Sequence, residues 1–139
     1  MKTQEIKKNW GFQSVSFWMT LLVAAGIIFI GGRFMVHPLA GADGFGIPIS
    51  DVKDLPFGRI KGIRDVFSGL VLLPFLLFRM RRAAAFALTT AIIVPATDFY
   101  IVLMTNGSKD LQHLLIHGLT VVYMIVTGIL LFRGNNIKI

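Results

Sequence analysis

The chain reads as an all-α membrane protein: a bundle of four transmembrane helices with a long outer loop between the first and second. Three observations carry this reading. Of 139 residues, 55% are hydrophobic and only 15% are charged, where a soluble domain carries about 25% charged residues. The mean hydropathy is +0.73. Four stretches approach the roughly 20 apolar residues that a helix needs to cross a hydrocarbon core of about 30 Å. A soluble domain this small needs a polar skin that the composition does not supply, and the absence of cysteine excludes a disulfide scaffold.

The first span, 12–32, has no charge. It is expected to stay in the mature protein, because the small-x-small pattern Ala40-Gly41-Ala42 lies too far past the apolar run for signal cleavage. The second span, 59–78, has an uncharged part of only 13 residues, 66–78. At 1.5 Å per residue that covers about 20 Å, so the helix must draw in Arg64 and Asp65, with Lys61 and Arg59 near the membrane edge. The third span, 83–104, is broken only by Asp98, and the fourth, 111–132, carries His113 and His117. Pro74 and Pro95 fall inside spans, which membrane helices tolerate. Pro95, one turn from Asp98, frees the Ala91 carbonyl, so a kink is expected there. Together the spans leave room for one integral membrane domain, 1–139.

Lysine and arginine concentrate on cytoplasmic ends. With the N-terminus inside, the inner set is Lys2, Lys7, Lys8, Arg79, Arg81, Arg82, Arg133 and Lys138, against the single acid Glu5. The remaining six cations and six acids cancel, so the whole formal charge of +7 lies on one side. Both termini are therefore expected in the cytoplasm, at the cell membrane. The same distribution explains a pI near 10.3 through orientation and attraction to anionic lipid, without a nucleic-acid partner.

In this topology every ionisable group awkward for lipid lies in the outer layer: Lys61, Arg64, Asp65, Asp98, His113 and His117. Intramembrane charges usually face a bundle interior or water cavity and pair with one another. Lys61 and Asp65 are four apart and share a helix face, as do His113 and His117. Arg64, on the adjacent stripe, is placed to reach Asp98. The expected arrangement is an outward-facing polar pocket; the alternative is a set of polar staples between helices. A zinc site would need more than His113-x-x-x-His117 and an acid. No glutamate follows the first histidine and cysteine is absent, so neither metal nor cofactor is expected. Proton handling by histidine and a tuned aspartate fits better.

The outer loop, 33–57, is long for an irregular connection. Its Phe45 and Ile47 suggest a segment folded back over the polar cluster. No strand precedes its glycines and no Lys-Ser follows, against a phosphate cradle. Gly58-x-x-x-Gly62 permits close helix contact.

Gly44-Phe-Gly-Ile-Pro48, then Lys61-Gly-Ile-Arg64-Asp65, Asp98 after a proline, and His117-Gly118 resemble the domain-of-unknown-function family numbered 4267, over roughly residues 20–133. By architecture the chain is also similar to DoxX-type four-helix membrane proteins. The resemblance implies a four-helix membrane domain and adds weight to Lys61, Arg64, Asp65, Asp98 and His117. It supplies no activity, and His113 is outside its pattern. The expected function is binding or permeation of a small solute, an anion among the candidates. The alternatives are a membrane-embedded enzyme using Asp98 and His117 on a lipid-like substrate, and an accessory subunit. The expected partners are the bilayer, a small molecule, and either a second copy or another membrane protein.

Overall fold

The structure, a computed structural model, describes residues 10–134. Lys2, Glu5, Lys7, Lys8 and Lys138, used above to orient the chain, lie outside the described residues. The helices are α1 (Val15–Val36), α2 (Pro38–Phe45), α3 (Leu55–Leu77), α4 (Arg81–Ala91), α5 (Ile93–Asn106) and α6 (Leu111–Arg133), with one 3-10 turn at Val52–Asp54. Among the described residues there is no strand.

Three rods are long and apolar enough to cross a membrane: α1, the run Arg81–Asn106 formed by α4 and α5, and α6. Helix α3 is as long, at 23 residues, but carries Arg59, Lys61, Arg64 and Asp65. The α4–α5 run is interrupted at Ile92. Pro95 has no N–H to return to Ala91, so the ladder breaks one turn before the proline, the expected place. Between α3 and α4 the chain reverses in a Schellman turn. The Met80 N–H reaches the Phe75 carbonyl at 2.7 Å and the Arg79 N–H reaches Leu76 at 3.2 Å. Arg79 takes the left-handed position, φ 55°, that glycine usually fills.

The connection expected as a loop over 33–57 is largely helical. Helix α1 continues to Val36, Pro38 opens α2 with its preset φ, and Gly46 closes α2 in the left-handed region, φ 99°.

Helices α1 and α3 pack along their length. The buried residues of α3 are Gly58, Gly62, Asp65, Gly69, Leu72 and Leu76, alternating four and three apart. Those of α1 include Phe17, Thr20, Ala24, Gly31 and Phe34, with the same rhythm. A 3.5-residue period keeps one seam on the partner through a shallow left-handed crossing. The glycines bring the backbones together: a β-carbon on Gly62 would stand 2.7 Å from the Gly31 carbonyl oxygen, and one on Gly69 equally far from that of Ala24. Such close approach adds dispersion contacts along the whole seam. Helix α6 packs on α4 and α5, α1 touches α6, and α3 meets α4, but α3 and α5 share no extended interface.

The two ends of the bundle differ. At the Arg79 end, Trp10, Phe17, Leu72, Leu76, Ala84, Ala85 and Leu131 form an apolar core. At the α2 end lie Asp65 and His117, the only buried ionisable side chains among the described residues.

Candidate functional site

Asp65 is 7% exposed because the seam turns it toward α1, where Gly31 leaves room. A β-carbon on Gly31 would come within 2.9 Å of that of Asp65. One turn earlier, Lys61 Nζ donates to Asp65 Oδ2 at 2.7 Å. The ammonium also lies 4.9 Å from the Phe34 ring centre and 4.8 Å from that of Phe45. Two aromatic faces and a carboxylate thus hold Lys61 at the α2 end.

Helix α2 is tied down at its C-terminal end through the carbonyls of Phe45 and its cap Gly46. His117 Nε2 donates to the Phe45 carbonyl at 3.0 Å, which assigns the proton to Nε2, since a carbonyl only accepts. The Phe45 ring meets the imidazole edge-on, with centroids 4.7 Å apart. The Gly46 carbonyl accepts from Asn106 Nδ2 at 2.6 Å. Asn106 donates also to Asp110 Oδ2 at 2.5 Å, and Asp110 Oδ1 lies 2.7 Å from His113 Nδ1. These two hydrogen bonds, that from Asn106 first, hold the Asp110 carboxyl below its ordinary range. Gly46 fits because it lacks a side chain: a β-carbon would stand 2.7 Å from His113 Cγ.

Asp98 is half-buried on α5, and no hydrogen bond to its carboxylate forms among the described residues. The expected contact from Arg64 is absent. The Arg64 side chain is exposed and makes no hydrogen bond or ion pair among the described residues, while its backbone carbonyl accepts from Ser68 Oγ at 2.9 Å. With Asp65 on the seam, the residue before it is turned about 100° away. His113 pairs with Asp110, so the two histidines, though four apart, serve different partners. Among the described residues no three histidine or acidic groups gather to hold a metal ion. Of the six expected residues, the structure pairs Lys61 with Asp65, sets His113 and His117 in the α2 anchor, leaves Asp98 half-buried on α5 and turns Arg64 out.

Lys61 also lines a cleft of about 290 Å³ between the α2 connection and α3. Its walls are Phe34, Ala42, Phe45, Ile47, Ile49, Phe57 and Gly58, with Asp54 at one polar edge and Lys61 at another. Sequence reasoning missed Phe34, Gly31, Asn106 and Asp110. Only Asp110 had a local signal, as an N-cap before the apolar run of α6.

No curated protein and no solved structure matches the chain. The family model described as Domain of unknown function (DUF4267) matches residues 24–131. The chain therefore belongs to that family.

Proposed function

We propose that the protein is a four-span integral membrane protein of the cell membrane, with both termini cytoplasmic, that binds a small molecule in the outward cleft between the α2 connection and α3. The fourth span is α3. Its 23 residues reach about 34 Å, and a seam shared with α1 carries it through whatever slab α1 crosses. Its charges lie near the α2 end, where Arg59 and Arg64 extend toward head groups. Arg79, Arg81, Arg82 and Arg133 gather at the other end, which favours that end as cytoplasmic.

The observation that carries the binding reading is the position of Lys61, at once partner of Asp65 and wall of the cleft. An ammonium has three donors; Asp65 takes one. The apolar core at the Arg79 end argues against a conduit in one molecule. Acid–base catalysis by Asp98 and His117 is less favoured, because His117 Nε2 is committed to the Phe45 carbonyl.

Native mass spectrometry from a mild detergent tests the reading. The wild type should carry a small bound mass that Lys61→Met lacks. A wild type without one, or equal occupancy in both, contradicts it.

A further inference from the structure

Resting on that reading, we infer that the cleft takes a neutral, single-chain amphiphile, drawn from the bilayer, whose carbonyl or hydroxyl head accepts a hydrogen bond from Lys61.

Size and lining give the body of the ligand. About 290 Å³, at roughly 30 Å³ per liquid-packed group, holds about ten heavy atoms, the small end of ligand pockets. Three phenylalanine rings and two isoleucines line most of it, so a hydrocarbon chain fits and a sugar or nucleotide does not.

Charge gives the head. Lys61 is already neutralised by Asp65 at 2.7 Å. Asp54 stands at the edge of the cleft. Of the two charged lining residues, Asp54 is acidic and Lys61 is already paired with Asp65, so the lining offers no net positive charge. A carboxylate or phosphate head would meet surplus negative charge, and an ammonium head would meet Lys61. A neutral acceptor needs only a donor that Asp65 leaves free. This narrows the anionic solute expected from sequence.

The mouth gives the route. Phe57, a lining residue, is 69% exposed, and Val52 and Leu39 on the same connection are 77% and 53% exposed. Phe57 thus offers a lipid chain an apolar way in, beside the exposed Asp51, Lys53 and Asp54, whose charges suit the head-group layer.

The experiment uses the full chain in lipid nanodiscs and three probes sharing one chain length: methyl decanoate, decanoate and decylammonium. Binding is read as the concentration dependence of the thermal midpoint. Methyl decanoate should bind at least about fivefold more tightly than either charged probe, the worth of one hydrogen bond or charge mismatch. Its effect should disappear in Ile47→Trp, which fills the cleft and leaves the Lys61–Asp65 pair in place, and weaken in Lys61→Met. Tighter binding of a charged probe, also lost in Ile47→Trp, overturns the neutral head and leaves the binding site standing. Methyl decanoate acting equally on wild type and both variants overturns this inference. Binding of none of the three overturns it together with the reading beneath it.

Discussion

Gly31 and Gly62 meet backbone to backbone: a β-carbon on Gly31 would stand 2.5 Å from the Gly62 carbonyl oxygen and 2.7 Å from the Val66 nitrogen. The same contact admits Asp65 to the seam and so fixes where Lys61 can go. Gly31→Ala must push α1 from α3, at the roughly 1–3 kcal/mol typical of overpacking. Gly26→Ala, with nothing within 4 Å of the new carbon, should be neutral or slightly stabilising through helix propensity. Unfolding of both variants in detergent checks this; equal stabilities would show that the seam is not close-packed there.

Arg79 holds a left-handed backbone, φ 55°, in the turn that ends α3. Arg79→Asn should be tolerated, since asparagine visits this region at little cost. Arg79→Val should destabilise by about 1–2 kcal/mol, seen as a lower unfolding midpoint than that of Arg79→Asn. Indistinguishable midpoints would contradict the assigned turn.

His117 secures α2 through the Phe45 carbonyl at 3.0 Å. His117→Phe keeps an aromatic ring against Phe45 and removes the donor. Hydrogen exchange over residues 38–46 should accelerate about fivefold, the worth of one net hydrogen bond of about 1 kcal/mol. Exchange elsewhere in the bundle should stay unchanged. Unchanged protection of α2 would mean that packing alone holds it.

Asp110 gives the α2 end a pH dependence with a definite sign. Hydrogen bonds from Asn106 and His113 lower its folded pKa below the ordinary value of 3.8. The unfolded chain therefore takes up this proton first. The contribution is complete above the ordinary value and declines as pH falls from there through the lower folded pKa. The side chain is only partly buried, at the edge of the fold, so the effect is small and screened by salt. Unfolding of Asp110→Asn between pH 5 and 3 should show a shallower loss than wild type. Parallel curves would remove Asp110 from the anchor.

The sequence shows the apolar rods well because their signal is a long uncharged run. The span expected over 111–132 is α6, Leu111–Arg133, and the break before Pro95 follows from a missing donor. The α2 connection was less legible: its helix is two turns long, and only Pro38 and Gly46 mark its ends. Arg64 shows where local spacing runs out. Residue separation places it near Asp98 as readily as away, and only the face chosen by Gly58, Gly62 and Gly69 decides. The contacts of Phe34 and Asn106 join segments far apart in the chain, which no local pattern encodes.

On the proposed reading, the polar groups at the α2 end serve a binding site rather than merely clamp helices together. The most direct test measures thermal midpoint and bound small-molecule occupancy on the same detergent-solubilised samples of wild type, Lys61→Met and Asp98→Asn. Midpoints should fall by less than about 1 kcal/mol-equivalent in Asp98→Asn, since the Asp98 carboxylate accepts no hydrogen bond among the described residues, and occupancy should be lost in Lys61→Met. Collapse of the fold in both variants, with wild type carrying no bound molecule, would contradict it.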